Sequence, residues 1–302
     1  MMTWVRMPGS CGELVQGTID GIDLHITCPV SMYSLASASR LRGGGLKIPE
    51  NLDKTALAVG KVLELIGGGY GIEIDVKSEL PRGKGMASST ADIAAAVAAT
   101  YSLLRKDIRP EDIANVALSI EPTDGTFFKG IVAFDHKYGR RFEPIGEAPP
   151  IEIIVLEPPE VIDTITFNRE RKAIKEMDEV LVKEAFEMAV EGIKTSNIRL
   201  VGKAATISAI HNQKILPKKA LGDIIDICRR KGGIGVNVAH SGTVAGMMVE
   251  KGFGRRLFER TAHYMPGSWD AYLVSMVDGG LRHDEFEPAL AAGPRNDSIT
   301  WD

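Results

Sequence analysis

Cysteine is scarce in this 302-residue chain. Cys11, Cys28 and Cys228 are odd in number and far apart, and no pair has zinc-ligand or redox spacing. A disulfide framework is therefore excluded, and reduced thiols in a cytoplasmic protein are expected. No uninterrupted apolar run reaches membrane-spanning length, and no basic segment followed by an apolar stretch opens the chain. No surplus of positive charge is present either. The net charge of −4 argues against a general nucleic-acid or anionic-membrane partner. Long repeats and low-complexity tracts are missing. What remains, 44% hydrophobic and 25% charged, is a globular balance that excludes a disordered chain.

One stretch organises the rest, Glu79-Leu-Pro-Arg-Gly-Lys-Gly-Met-Ala-Ser-Ser-Thr-Ala. Gly83 and Gly85 let the backbone turn where a Cβ would clash, so that amide N–H groups can converge on an anion. Ser88 or Ser89 stands where an N-cap belongs, and Thr90 to Leu104 reads as an alanine-rich helix behind it. A helix N-terminus carries partial positive charge and unpartnered amides, which makes the stretch a candidate phosphate cradle. A glycine turn capping a buried helix is the plainer reading. Walker spacing fails because Lys84 is followed by Gly85, and the dinucleotide fingerprint fails because Ser88 replaces its third glycine.

Around this stretch the patterns predict strands over Met2 to Met7, Ile22 to Val30, Met32 to Ala38 as its hairpin partner, Gly71 to Ser78, and Ile131 to Asp135. Pro8 to Gly17 reads as a turn breaking the first strand. Helices are predicted over Lys54 to Ile66 and from Arg109-Pro110 to Ile120. Glu147-Ala-Pro-Pro reads as a linker between a domain at 1–148 and a second at 149–302. The second half offers strand Ile151 to Leu156, helices from about Arg169 to Thr195, Arg199 to Leu216 and Lys218 to Lys231, then a hairpin turning at Ser241-Gly242. Helix Gly252 to Tyr264 and strand Ala271 to Val277 follow it. Strands followed by helices, with few strict βαβ alternations, give an α+β class.

The run Pro81-Arg-Gly-Lys-Gly-Met-Ala-Ser-Ser-Thr-Ala resembles the phosphate-binding motif of the GHMP kinases, with Met86-Ala87 where that family usually has Leu-Gly. The hairpin segment Ala239-His240-Ser241-Gly242 resembles the family's third motif. Pro8-Gly-Ser-Cys-Gly-Glu-Leu-Val-Gln-Gly with Cys28-Pro-Val resembles the branch that phosphorylates L-threonine for the aminopropanol linker of cobalamin. The resemblance implies a ribosomal-protein-S5-domain-2-like N-terminal domain and a ferredoxin-like C-terminal domain. It implies ATP and Mg2+ as cofactors and small-molecule phosphoryl transfer as the activity.

Carried over residue by residue, the resemblance implies that Pro81, Arg82, Gly83, Lys84, Gly85, Met86, Ala87, Ser88 and Ser89 hold the ATP phosphates. Ser89 and Glu121 would hold magnesium, and Asp124 would be the catalytic base. Read alone, Glu121-Pro-Thr-Asp-Gly-Thr is an ordinary polar turn. Glu13 suits the amino group of L-threonine, with Gln16, Ser10, His240 and Ser241 around the substrate. His240 could donate to substrate or phosphate, or be satisfied inside its turn. His25, His136, His211 and His263 show no ligand spacing and read as structural or exposed. A homodimer is left open. Two alternatives stand beside the threonine reading: a homoserine or other small-alcohol kinase, and a nucleotide-binding regulator without turnover.

Overall fold

The first two strands carry the architecture. In the computed structural model, which describes residues 4–160, 178–264 and 268–284, β1 (Trp4–Ile19) and β2 (Ile22–Arg40) form one long antiparallel ribbon. Asp20 and Gly21 turn it with φ of 50° and 71°, the paired left-handed backbone that suits a two-residue hairpin. The expected break over Pro8 to Gly17 does not occur, and Ile22 to Val30 and Met32 to Ala38 are one strand rather than a hairpin. Register shifts between Pro8 and Ser10, Ser10 and Glu13, and Glu13 and Val15 explain both differences. The polar, glycine-rich segment is a series of bulges within a paired strand. Pro29 lies opposite Ser10 at one such shift, where a missing N–H does not interrupt a regular ladder.

The remaining elements of the first half are β3 (Leu46–Lys47), α1 (Asp53–Leu65), β4 (Ile72–Ser78), α2 (Ser88–Leu103), α3 (Pro110–Leu118), β5 (Ile131–Asp135) and β6 (Phe142–Gly146). The second half contributes β7 (Ile151–Glu157), α4 (Glu179–Lys194), α5 (Ile198–Asn212), α6 (Leu221–Lys231), β8 (Gly235–Val238), β9 (Ala245–Glu250), α7 (Gly254–Thr261) and β10 (Asp270–Ser275). A short β11 (Arg282–Asp284), not expected from the sequence, returns to pair with β1. The helix expected from Arg169 is described only as α4; 161–177 lies outside the described residues. Asp178 caps α4 by accepting the Val180 amide at 3.1 Å.

One sheet runs in the order β10-β7-β9-β8-β1-β2-β4-β3, with β5 and β6 branching from β2. Every pairing is antiparallel except β3 with β4, which is the α+β arrangement. The expected boundary at 148/149 falls between β6 and β7. The sheet crosses it where Glu13 pairs with Val238. A Cβ on Gly12 would come within 2.5 Å of the Val238 carbonyl, so this crossing depends on a glycine.

Helix α2 is buried throughout from Thr90 to Thr100, and it packs on β1, β2 and β4. Its alanines allow close approach to the sheet, while Ile93 and Val97 each contribute ~1.5–3 kcal/mol by leaving water. A second apolar cluster, including Ile154, Leu156, Ile224 and Leu257, lies between the C-terminal strands and α6 and α7. Among the described residues no helix is long and apolar enough to cross a membrane.

Candidate active site

Strand β4 delivers the chain into a loop whose backbone is left-handed at alternate residues: Gly83 (φ 71°), Gly85 (φ 83°) and Ala87 (φ 55°). The last of these is the N-cap of α2. Ala87 therefore replaces Ser88 or Ser89 in the expected capping role, and both serines lie within the first turn, with no side-chain cap. A Cβ in the left-handed region costs about 1–2 kcal/mol, so Ala87 stands at a position that favours glycine. The loop and the start of α2 line a cleft of about 360 Å³. Arg82, Gly83, Gly85, Met86, Ala87, Ser88 and Ser89 face it; Pro81 and the Lys84 side chain do not.

Lys84 is buried and turned toward the far side, where its ammonium donates to the Pro158 carbonyl and, at 2.8 Å, to that of Glu160. Its own carbonyl accepts the amides of Thr243 (3.0 Å) and Val244 (3.2 Å). The expected two-residue turn at Ser241-Gly242 is a wider connection over 239–244, closed by the Ala239 amide on the Val244 carbonyl at 3.1 Å. This connection presses on the loop. A Cβ on Gly85 would fall 2.3 Å from the Ala239 Cβ and 2.8 Å from the Gly242 Cα.

Beside the helix start, the Ser89 hydroxyl donates to Glu121 Oε1, and Lys54 at the head of α1 pairs with Glu121 Oε2. A hydroxyl and a carboxylate oxygen meeting at one point beside a helix N-terminus are the hard donors that magnesium takes. Arg82 leans between the Asn51 carbonyl (2.9 Å) and Asp92 (3.6 Å). Asp92 also accepts from Ser34 at 2.6 Å, and burial raises its carboxyl above the usual range. Thr90 fixes the turn that follows α3: its hydroxyl lies 2.9 Å from that of Thr123 and accepts the Asp124 amide at 3.3 Å.

Another part of the same cleft is acidic and imidazole-rich. Glu13, from the bulged part of β1, accepts the His240 amide at 2.7 Å. Gln16 does not reach the cleft; its Oε1 takes the His240 Nδ1 proton at 2.6 Å, and its Nε2 donates to Val238 O at 3.4 Å. Ser10 is fully buried and outside the cleft, its amide donating to the Met86 carbonyl at 3.0 Å. Ser241 lines the cleft with His240. Asp124 lies 3.6 Å from His25 Nδ1, and Glu13 lies 3.7 Å from the same atom.

Two histidines that the sequence assigned to structure or surface belong to this site. The pairing of β2 with β5 sets His25 opposite Phe134, and His136 follows just beyond the end of β5. Their rings stack at 3.7 Å, with His240 4.5 Å from His25. Burial holds the His136 imidazole well below its usual value, hence neutral. Burial and the Asp124 charge raise the Glu13 carboxyl, and burial raises that of Asp124. Lys218, unremarked in the sequence, is buried behind the hairpin and donates to the Gly242 carbonyl at 2.5 Å. Burial pushes its ammonium down to about 7, with Glu13 pulling the other way.

The family description "GHMP kinases N terminal domain" matches residues 53–131. The L-threonine kinase of Salmonella typhimurium is 32% identical over 294 residues, covering 92% of this chain and 94% of its own. That of Citrobacter freundii is 33% identical over 255 residues, covering 83% and 87%. Among solved structures, the homoserine kinase from Cytophaga hutchinsonii superposes with a TM-score of 0.71 at 16% identity, over 94% of this chain and 97% of that one.

Proposed function

The chain belongs to the GHMP kinase family of ATP-dependent small-molecule kinases, and from that premise we propose that it phosphorylates the side-chain hydroxyl of L-threonine to give O-phospho-L-threonine. One observation carries the reading. A single cleft is lined both by the glycine loop with the start of α2 and by two neighbouring carboxylates on His25. Polyphosphate and an amino-acid ammonium suit those two sets of groups in that order. The relatives at 32% and 33% identity are L-threonine kinases, whereas a homoserine kinase covering 72% of the chain is 26% identical, which supports the same assignment.

In this mechanism the amides of 83–90 and the positive end of α2 hold the ATP phosphates. Ser89 and Glu121 would hold magnesium, which offsets phosphate charge when bound. Lys54 and Arg82, which also line the cleft, add positive charge there. Glu13 receives the substrate ammonium, an anchor that discriminates against acceptors lacking the amine. Asp124 accepts the hydroxyl proton as the oxygen attacks the γ-phosphorus. The bond from that phosphorus to the β–γ bridging oxygen breaks, ADP leaves, and the proton passes from Asp124 to solvent. A carboxyl raised by burial is a stronger base than a free aspartate, which favours this step near neutral pH. His240 fixes the position of Glu13 through its amide.

In this reading 1–148 and 149–302 are the two family domains, the setting is cytoplasmic, and the product feeds the aminopropanol linker of cobalamin. A coupled ADP-release assay over L-threonine, L-serine, L-homoserine and aminopropanol tests it. L-Threonine should give the highest kcat/KM. A preference for homoserine or aminopropanol would replace the substrate, and ADP release indifferent to every acceptor would favour a nucleotide-binding regulator.

A further inference from the structure

Three imidazoles at one point in a protein interior are a chemical resource that phosphoryl transfer does not call for. His25, His136 and His240 are buried, and their ligand atoms lie within 4.8 Å of one another. They come from β2, from the end of β5 and from the hairpin before β9, so the tertiary fold assembles them. Buried polar groups are costly unless they are satisfied, and His136 Nε2 has no hydrogen-bond partner among the described residues.

The protonation pattern around His240 is that of a ligand. The Gln16 amide oxygen faces Nδ1 at 2.6 Å, while the Gln16 Nε2 group is turned to the Val238 carbonyl. Nδ1 therefore carries the proton and Nε2 carries the lone pair. A second ring nitrogen bound in this way is how proteins orient a metal-binding histidine. Carboxylates stand alongside, since Asp124 and Glu13 group with His25 within the same 4.8 Å.

We propose that His25, His136 and His240, with Asp124 beside them, form a site for one transition-metal dication of the zinc class at the acceptor end of the cleft. Imidazole nitrogen selects such ions over magnesium, which takes oxygen donors. This site is therefore chemically distinct from the oxygens of Ser89 and Glu121. Binding requires one ring to turn. The His25 and His136 planes lie within 10° of parallel at 3.7 Å, and an ion at ~2.0–2.1 Å must lie near the plane of each ligand ring. The carboxylate of an α-amino acid is an oxygen ligand that such an ion takes, so an ion here would also orient the acceptor while its ammonium stays on Glu13; that role, unlike the site, rests on the threonine reading.

The test uses the untagged full chain, stripped with a chelator and titrated with cobalt(II), whose visible bands report coordination geometry. Saturable uptake of one cobalt per chain is expected, displaced by zinc and not by a large magnesium excess. Gln16→Ala should weaken it by about 10–100-fold, the usual effect of removing a supporting hydrogen bond. His136→Ala and His240→Gln should abolish it, and Ser89→Ala should leave it unchanged. Circular dichroism identifies any variant that fails to fold, and the wild-type titration decides the question without variants. Absent uptake, displacement by magnesium, or thiolate bands placing cobalt on Cys11 or Cys28 would overturn the proposal. L-Threonine should shift the cobalt spectrum; intact uptake with no shift would leave the site standing and remove its acceptor role.

Discussion

Gly85→Ala puts a methyl group where the phosphate loop and the 239–244 connection touch. The new Cβ would lie 2.3 Å from the Ala239 Cβ, against the ~3.5–4.0 Å that two carbons prefer, so the surfaces must part by more than an ångström. The backbone at φ 83° adds its own penalty of about 1–2 kcal/mol for any residue with a side chain. Overpacking typically costs a further ~1–3 kcal/mol, so the total destabilisation should be about 2–5 kcal/mol. Urea denaturation measures that loss. ATP KM should rise with it, because the displaced segment carries the cradle. Ala239→Gly removes one of the clashing carbons, so the double variant should recover part of the packing loss but none of the backbone penalty. Wild-type stability and ATP KM in Gly85→Ala would refute the close apposition. Equal instability of the single and double variants would refute the role of Ala239.

Asp124→Asn keeps shape and removes the charge that can accept a proton; kcat should fall by ~10²–10⁴-fold with the fold intact, and a loss under about fivefold would leave positioning as its role. Ser89→Ala should still bind ATP but lose most turnover, because a magnesium ligand is gone; near-normal turnover at saturating magnesium would show that another group holds the ion. Glu13→Gln should raise the KM for L-threonine while sparing that for ATP; the opposite pattern would move this segment to the nucleotide. Lys218 gives a pH test. Its folded value of about 7 lies below the ordinary lysine value of 10.5, so between the two the unfolded chain binds a proton that the folded chain lacks, and stability rises with pH there. Relative to Lys218→Met, wild type should gain stability as pH rises from about 7 toward 10.5 by urea denaturation; parallel profiles would refute the depressed ammonium.

Local chemistry was readable in the chain, and non-local chemistry was not. The glycine loop and α2 follow from glycines and alanines that are neighbours in sequence, and α2 lies close to where the pattern put it, although Ala87 rather than a serine caps it. The segment over Pro8 to Gly17 has turn composition, yet β2 and β8 pair with it from either side and hold it as a bulged strand. No window centred on Gly12 contains that information. His25 and His136 carry no spacing signal because a strand pairing joins them. Lys54 and Lys218 look like any other surface lysine until Glu121 and Gly242 are brought to them. Lys84 is the reverse case: it sits in the phosphate motif, but its long stem reaches the carbonyls beyond β7 instead.

Two groups of residues lining the cleft also differ in how much chain each must wait for. Ser89 and Glu121 are 32 residues apart, whereas Glu13 and the His240 amide are separated by 227. Contacts of such separation close late, because a long loop must be ordered before they repay its entropy. During synthesis, a chain that has emerged only through β7 already contains every residue of the cradle. It still lacks the hairpin that presses on that cradle and holds Glu13. The part of the cleft around Glu13 and His240 is thus assembled after the loop, and the strand waiting for it, the bulged stretch of β1, is among the first made. Until β8 arrives, that stretch is an open edge of unpaired backbone groups, the surface through which nascent chains associate wrongly. The bulges and the carboxylate of Glu13, still open to water at that stage, make it a poor template for such pairing, so the irregularities that shape this part of the cleft also guard the chain while it is incomplete.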